Sequence, residues 1–276
     1  MISATGSYFV TSKELISVRY IDKHVQDKNN VIYEVLRFID SKPLFLEDHI
    51  ERFMSSFPVD NEKKAAWMLL ITRRIRVLVE ENKISYGNLR FQFNDNSPAS
   101  FCAWMIPSKY PSKQQYFKGV TIKTYLGTRN KPNYKARNIN LRRDVDNFIE
   151  ENDIYEAILV NSKSFLTEGS RSNIFFIKDS ILITPPLAMV LPGITRQKII
   201  ELIDTNNLQF EERLIRIEDM KNYSTCFISG TSPKILPVTR INDMKMDVEN
   251  KHLINLISLF NQQIDEYIKM FKWDDD

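Results

Sequence analysis

The feature that most constrains the fold is a change of pattern about a third of the way along the chain. A polar stretch at residues 107–115 separates a region with few strands and two helices from a longer region in which strands dominate. A chain of 276 residues can bury a large core, but this length strains a single one. The sequence therefore predicts an α+β protein with two domains, a smaller one at residues 1–112 and a larger one at residues 113–276.

The first region combines strand and helix patterns that can form one α+β unit. Its strands are rich in β-branched and aromatic residues, and Trp67, Ile71 and Ile75 recur at helical spacing. The predicted elements are a strand at 31–39, a short strand near 44–46, helices at 48–57 and 61–82, and a hairpin of strands at 89–94 and 100–106.

The second region has more strands, each short and apolar. Its last predicted helix carries Leu253, Leu256 and Phe260 on one stripe, which is typical of a face that docks on a core. The predicted strands lie at 120–126, 155–160, 172–177, 181–184 and 225–229, and the predicted helices at 141–151, 195–205 and 250–271.

Composition and charge argue against several classes of function. The formal net charge is only +3 and both signs are interspersed, which predicts neither a nucleic-acid nor a membrane partner. Cys102 and Cys226 fit no metal or redox spacing and the histidines are scattered, so no metal site is expected. Since neither a leader-like start nor a long apolar run is visible, a cytoplasmic location is expected.

A glycine turn that leads directly into a helix is the strongest local sign of chemistry. It reads Leu191-Pro192-Gly193-Ile194-Thr195-Arg196. The unpaired N–H groups at a helix start favour an anion, and the threonine can add a hydroxyl. An ordinary capped helix explains the same residues, so the segment alone leaves both interpretations open.

Two further polar segments have the same ambiguity. The turn Ser229-Gly230-Thr231-Ser232-Pro233 suits close approach of the backbone to a ligand, and it suits an ordinary tight turn equally well. The segment Leu166-Thr167-Glu168-Gly169-Ser170-Arg171-Ser172-Asn173 packs an acid, a base and several hydroxyls together. A polar loop between two strands is its simplest explanation.

The order of several such segments is more informative than any one of them. They are Tyr33-Glu34-Val35-Leu36-Arg37, Pro43-Leu44-Phe45-Leu46-Glu47-Asp48-His49-Ile50-Glu51-Arg52-Phe53, Tyr155-Glu156-Ala157-Ile158-Leu159, Thr167-Glu168-Gly169-Ser170-Arg171-Ser172-Asn173-Ile174-Phe175 and Gly193-Ile194-Thr195-Arg196. In this order they resemble the class IV aminotransferases over residues 31–238. That family includes branched-chain and D-amino-acid aminotransferases and aminodeoxychorismate lyase.

The resemblance implies a fold, a cofactor and partners. The fold is that of a fold-type IV enzyme, with a small N-terminal α/β sandwich, a larger C-terminal domain and the cofactor at the domain interface. The implied cofactor is pyridoxal 5′-phosphate (PLP), and the implied substrates are a small amino acid and an oxo acid. A homodimer is also implied, because the family completes its pocket with a loop from a second subunit.

The resemblance also assigns residues to the cofactor. Lys135, twenty residues before Tyr155, matches the lysine that holds PLP as a Schiff base and must be desolvated to act as nucleophile and base. Glu168 matches the acid that pairs with the pyridine nitrogen. Arg129 loosely matches an arginine near the ring's phenolic oxygen, and a surface arginine is the alternative. The residues that match the family's phosphate contacts are Arg52, Gly193, Ile194, Thr195 and Thr231.

The substrate residues match less well. Lys28 lies in a loop that differs from the Gly-Asp-Gly turn often found in the family. Tyr33 and Arg90 fall where relatives have residues beside the substrate, although core packing and a solvent-facing strand explain them too. Arg171, three residues after Glu168, is predicted to bind a substrate carboxylate, with a salt bridge at the domain boundary as the alternative.

Three functions are compatible with these residues. The first is an aminotransferase that moves the amino group of a small amino acid to a 2-oxo acid by a ping-pong mechanism. The second is a lyase of the 4-amino-4-deoxychorismate type that releases pyruvate with the same cofactor. The third is a non-catalytic protein that keeps the fold, and the presence of Lys135, Glu168 and Arg52 argues against it.

Overall fold

The computed structural model describes residues 2–95, 97–129 and 133–273, and the chain divides into two compact units. The first unit comprises Met1–Lys109, Tyr134–Arg137 and Ile264–Asp276, and the second comprises Tyr110–Asn133 and Asn138–Gln263. The division at residues 112 and 113 stays a prediction from the sequence. That prediction did not anticipate that Tyr134–Arg137 would group with the first unit.

The described part of the first unit contains an antiparallel sheet and three complete helices, together with the C-terminal end of a fourth. Its strands are β1 (Thr5–Thr11), β2 (Leu15–Ser17), β3 (Tyr33–Ile39), β4 (Lys42–Pro43), β5 (Gly87–Phe93) and β6 (Phe101–Ile106). They pair in the order β2-β1-β6-β5-β3-β4. Its helices are α1 (Ile21–His24), α2 (Leu46–Met54) and α3 (Asn61–Glu81).

An aromatic core fixes α2 against the sheet of the first unit. The ring of Phe53 on α2 meets the rings of Phe91 and Phe93 on β5 edge-on, with centroids 5.0 and 4.8 Å apart. On α3, Ile71 and Ile75 are fully buried against the same core, as their helical spacing predicts. This packing holds α2 rigidly beside β3, so polar side chains on these two elements face each other in a fixed geometry.

The second unit contains a nine-stranded mixed sheet. Its strands are β7 (Val120–Leu126), β8 (Glu156–Val160), β9 (Leu166–Gly169), β10 (Asn173–Lys178), β11 (Ile181–Thr184), β12 (Gln209–Glu212), β13 (Thr225–Gly230), β14 (Lys234–Ile241) and β15 (Met244–Lys245). They pair in the order β12-β11-β10-β13-β14-β7-β8-β9, with β15 on β14. Its helices are α4 (Lys113–Lys118), α5 (Ile139–Glu151), α6 (Ile194–Thr205) and α7 (Lys251–Met270), the last of which continues into the first unit from Ile264.

Part of the polar stretch at residues 107–115 is helical rather than extended. Helix α4 begins at Lys113 because Ser112 and Gln115 form a capping box. The backbone N–H of Gln115 donates to the Ser112 hydroxyl at 3.2 Å, and the backbone N–H of Ser112 donates to the Gln115 side chain at 2.9 Å. The composition of the stretch hides this start signal among other polar residues.

The described part of the chain contains neither a membrane-spanning helix nor a metal-site cluster of side chains. No helix there has the length and apolar character needed to cross a membrane. Nor does any group of three or more His, Cys, Asp and Glu side chains in those residues have the arrangement of a metal site.

Candidate active site

In the first unit, one buried carboxylate gathers several basic side chains. We call Lys135, Glu34, His49 and Arg52 the lysine cluster. The Glu34 carboxylate lies 2.6 Å from Arg52 Nη2 and 3.6 Å from Lys135 Nζ. It also lies 2.9 Å from His49 Nδ1, and Arg52 Nε donates to its second oxygen at 2.8 Å. The Lys135 amine is therefore fixed in a charged but poorly hydrated setting, with its side chain only 16% exposed.

The charges of the lysine cluster control the protonation of its members. Burial raises the pKa of the Glu34 carboxyl, but the attraction of Arg52 and Lys135 and the bond to His49 outweigh it and hold the pKa well below its usual range. Burial lowers the pKa of His49 and outweighs the hydrogen bond and the charge of Glu34, which raise it. Glu34 is thus ionised and His49 neutral near pH 7.

Local structure explains why these side chains meet. His49 and Arg52 lie three residues apart on α2 and so share one helix face, which points at Glu34 on β3. The segment with Lys135 pairs with the start of β3, since the N–H of Tyr33 donates to the Lys135 carbonyl at 3.1 Å. Ile32 and Ala136 form a β-bridge beside it. Lys135 is therefore held by its backbone as well as its side chain.

Tyr33 and Arg90 lie next to the lysine cluster in the same unit. Lys135 Nζ is 5.7 Å and Arg90 Cζ is 4.4 Å from the centroid of the Tyr33 ring. Arg90 also lies over Trp104, 5.2 Å from its ring centroid, and burial lowers the pKa of its guanidinium to about 10. The solvent-facing alternative for Arg90 is therefore wrong, whereas Lys28 lies on an exposed loop.

In the second unit, Glu168 is buried at the end of β9. Its carboxylate lies 3.1 Å from Arg129 Nε and accepts a hydrogen bond from the backbone N–H of Leu191 at 3.1 Å. Arg129 also donates to the Ser170 carbonyl at 2.8 Å. Arg129, which the sequence placed only loosely, therefore contacts the predicted cofactor acid directly.

The turn after Glu168 is anchored by a second buried acid, Glu156 on β8. Its carboxylate accepts hydrogen bonds from the Ser170 hydroxyl at 2.7 Å, the Ser172 hydroxyl at 3.1 Å and the Arg171 N–H at 3.1 Å. The hydroxyls of this polar segment thus serve the turn itself. They hold in place the backbone that follows β9.

Helix α6 begins as the sequence predicts. We call Gly193, Ile194 and Thr195 the α6 cup. Gly193 is the N-cap and no side chain caps the helix, so N–H groups of its first turn have no partner among the described residues. A Cβ at Gly193 would lie 2.1 Å from the Asn173 side-chain oxygen, so only glycine fits there without a shift. Asn173 in turn donates to the Leu191 carbonyl at 3.0 Å.

Thr231 lies in the turn between β13 and β14, half-buried. Two residues earlier, Ser229 pairs in register with Asn173, the residue packed against Gly193. The Ser229 hydroxyl is buried and has no hydrogen-bond partner among the described residues. This turn and the α6 cup are therefore supported by the same residue, Asn173.

Arg171 takes a different position from the other predicted residues of the second unit. Its guanidinium lies 2.6 Å from Asp146 on α5, and its side chain is 54% exposed. The structure thus gives it a surface ion pair, within one unit. Its predicted role in binding a substrate carboxylate stays a prediction.

Sequence reasoning missed several charged residues of the first unit that lie near the predicted site residues. Glu34 could have been found, because it interrupts the apolar face that Leu36 and Phe38 continue on β3. Asp27 and Arg137 could not, since their ion pair joins loop positions far apart in the sequence.

These donor sets fit the chemistry of pyridoxal 5′-phosphate. Its aldehyde needs an amine, its ring nitrogen an acid, and its phosphate cations and N–H donors, because a buried phosphate without them is prohibitively unstable. Within the first unit, the amine of Lys135 suits the aldehyde and the guanidinium of Arg52 suits the phosphate. Within the second unit, the carboxylate of Glu168 suits the ring nitrogen and the uncapped start of α6 suits the phosphate.

Known proteins share both the sequence pattern and the fold. The family profile described as Amino-transferase class IV matches residues 31–241. A D-alanine aminotransferase from Bacillus licheniformis is 26% identical over 224 residues, which cover 76% of this chain and 78% of that protein.

Solved structures agree with this fold. The branched-chain amino acid aminotransferase of Escherichia coli has a TM-score of 0.78 at 19% identity, covering 98% of both chains. A hypothetical aminotransferase from Mycobacterium tuberculosis, solved in its PLP-bound form, has a TM-score of 0.75 at 15% identity and covers 93% of this chain and 98% of that one. The resemblance found in the sequence is confirmed, and so is the fold-type IV architecture. The chain belongs to the class IV aminotransferase family, whose enzymes use pyridoxal 5′-phosphate.

Proposed function

We propose that this chain transfers the amino group of a small amino acid to a 2-oxo acid, with Lys135 as the lysine that holds PLP. The observation that carries this proposal is the lysine cluster. Lys135 is largely buried, and its amine shares the Glu34 carboxylate with the guanidinium of Arg52, so it is desolvated and lies near another cation, which are the surroundings in which lysines act as nucleophiles. The matched position of Lys135 in the family pattern supports the same assignment.

Lys135 is the candidate catalytic residue. With the cofactor bound, its amine would take the proton from the substrate's α carbon and return that proton to the cofactor. Glu34 lies 3.6 Å from that amine and holds it in place. The low exposure of the cluster keeps water from competing for the proton.

Glu168 is the candidate partner of the protonated ring nitrogen. When bound, the cofactor supplies an electron sink that stabilises the negative charge developing at the substrate's α carbon. The Glu168 carboxylate is buried, and Arg129 and the N–H of Leu191 orient it. This orientation is the contribution of the chain to the strength of that sink.

The residues proposed for the phosphate are those that match the family pattern. Arg52 provides a guanidinium, and the first turn of α6 provides N–H groups together with the Thr195 hydroxyl. Thr231 is proposed as a further hydroxyl, on the turn supported by Asn173. A helix start that lacks a side-chain cap is well suited to an anion.

Four residues are proposed for the substrate. Tyr33 and Arg90 are favoured by their contact with each other beside Lys135. Lys28 is kept from the sequence alone. Arg171 would have to leave Asp146 to reach a substrate. If it then binds the substrate carboxylate, replacing it with alanine should raise the apparent KM of the amino acid and leave cofactor binding intact.

The experiment that tests the function uses the purified protein loaded with PLP. Single L- and D-amino acids are added, and the visible spectrum is followed for conversion to the pyridoxamine form. A half-reaction with at least one amino acid, reversed by a 2-oxo acid, is the expected result for a ping-pong enzyme.

Other outcomes overturn the proposal. Absence of any visible band after loading removes the assignment of Lys135, and pyruvate release from aminodeoxychorismate without a half-reaction would indicate a lyase instead. The homodimer is proposed from the family resemblance alone. Sedimentation equilibrium of the loaded protein tests it, with a dimer mass expected.

A further inference from the structure

A carboxylate of the chain itself is bound by two arginines beside the proposed substrate residues. Asp27 Oδ1 lies 2.6 Å from Arg137 Nε and 3.7 Å from Arg90 Nη2, and Arg137 Nη2 donates to the other oxygen at 2.8 Å. The two guanidinium groups thus lie close to one and the same oxygen atom. All of these residues belong to the first unit.

Arg90 is not satisfied by this arrangement. Its side chain is only 10% exposed, and its Nη2 donates to Gln92 at 2.6 Å, but its buried Nε has no hydrogen-bond partner among the described residues. The indole N–H of Trp104, against which Arg90 packs, is buried and unpartnered as well within that part of the chain. Such donors are costly unless a ligand binds them.

Asp27 lies just before a short ladder of backbone hydrogen bonds and takes no part in it. The N–H of Asn30 donates to the Arg137 carbonyl at 2.8 Å, and the N–H of Arg137 donates to the Val31 carbonyl at 3.0 Å. Asp27 precedes these bonds on an exposed loop, and its side chain is 33% exposed. Its carboxylate can therefore leave while the segment of Lys135 stays in place.

We propose that Arg90 and Arg137 form a carboxylate-binding pair, that Asp27 occupies this pair in the free chain, and that a substrate carboxylate binds by displacing Asp27. The inference deepens the proposed function, because it names how the substrate is recognised. Arg90 Cζ and Lys135 Nζ lie 4.4 and 5.7 Å from the centroid of the same Tyr33 ring, so the pair lies in the neighbourhood of the lysine amine. A guanidinium presents a planar fork of donors that matches a carboxylate, and the pair presents two such forks.

If the pair binds a carboxylate, loss of the Asp27 charge should raise the affinity for that carboxylate. With Asp27 ionised, the three side chains carry one net positive charge, and in Asp27→Asn they carry two. An incoming carboxylate then meets more charge and no competitor, so its affinity rises. If Asp27 only held Arg137 in its binding position, Asp27→Asn would weaken carboxylate binding instead.

Isothermal titration calorimetry on the PLP-loaded protein separates these cases, with glutarate and butanoate as probes. We expect Asp27→Asn to lower the Kd of glutarate by about tenfold and Arg137→Gln to raise it by about tenfold. Asp27→Glu, which keeps the charge, should stay near the wild type. Glu211→Gln is the matched control, because it removes one charge from a surface pair with Arg213 at 39% exposure.

Each outcome is decisive. An unchanged or weaker affinity in Asp27→Asn overturns the proposal, provided that its thermal unfolding matches that of Asp27→Glu. Glutarate has two carboxylates and butanoate has one. Equal affinities for the two probes indicate that the pair binds the substrate carboxylate next to the amino group. A preference for glutarate indicates that the pair binds a second carboxylate, on the substrate's side chain. Since neither probe has an amino or oxo group, the result does not depend on whether the chain transaminates.

Discussion

The lysine cluster and the α6 cup bind charge in opposite ways. In the lysine cluster, side chains stabilise one another: Glu34 is held by Arg52, His49 and Lys135, and each of these relies on Glu34. In the α6 cup, the donors are backbone N–H groups, which no substitution other than proline removes. The difference implies that single changes should be severe in the lysine cluster and mild in the cup, except where they alter the backbone path.

The largest effect is expected for Glu34→Ala. It leaves the buried cation of Arg52 without its carboxylate, which should lower the free energy of unfolding by about 3–5 kcal/mol. Urea unfolding measures it. Glu51→Ala, which breaks an exposed pair with Lys64 on the same helix, should cost only about 0–1 kcal/mol. Equal losses in the two variants would remove the contrast on which the comparison rests.

The pH dependence of the free energy of unfolding tests the contribution of Glu34 separately. The folded pKa of Glu34 lies below its unfolded value of 4.5, so its contribution is complete above that pH and is lost as the pH falls toward the folded pKa. We expect this group to contribute a slope of about 1.4 kcal/mol per pH unit below pH 4.5. The free energies of unfolding of the wild type and of Glu34→Gln should run parallel between pH 4.5 and 6 and diverge by this slope between pH 4.5 and 3, and curves that stay parallel down to pH 3 would contradict it.

Gly193→Ala tests the one backbone position on which the cup depends. The new Cβ would lie 2.1 Å from Asn173 Oδ1, so Asn173 must turn away from Leu191 and the cup shifts. PLP affinity, measured by fluorescence titration, should fall about tenfold. Gly127→Ala, where the nearest side-chain atom lies 3.1 Å away, is the matched control and should bind PLP normally.

The smallest effect is expected for Thr195→Val. It removes one hydroxyl and keeps the N–H donors of the cup, so PLP affinity should fall only about fivefold. Thr205→Val removes a hydroxyl from the other end of α6, where it bonds the Glu201 carbonyl, and should leave the affinity unchanged. A loss in Thr195→Val as large as in Gly193→Ala would show that side chains, not the backbone, make the cup.

The sequence predicts the elements that have strong periodicity and misses those that lack it. Strands β7 and β11 and helix α3 lie where expected. Strand β14 was missed because Pro237 argues against a central strand. It is nevertheless central, with Phe227 opposite Pro237 on one side and an irregular register beside Val238 on the other.

The candidate site shows the same limit. Residues with a motif around them, such as Glu168 and Gly193, were found from the sequence. Residues recognisable only by contact were not: the Asp27–Arg137 ion pair, and the support that Asn173 gives to Gly193, require the fold. Order along the chain identifies a family, whereas pairing between distant loops decides which charges meet.

The assignment of Lys135 is tested most directly by reducing the PLP-loaded protein with borohydride and mapping the modified peptide by mass spectrometry. Reduction fixes the cofactor to the amine that holds it. The account predicts one phosphopyridoxyl group per chain, on the peptide with Lys135, and none in Lys135→Ala. Label on another lysine, or unchanged label in Lys135→Ala, would contradict it.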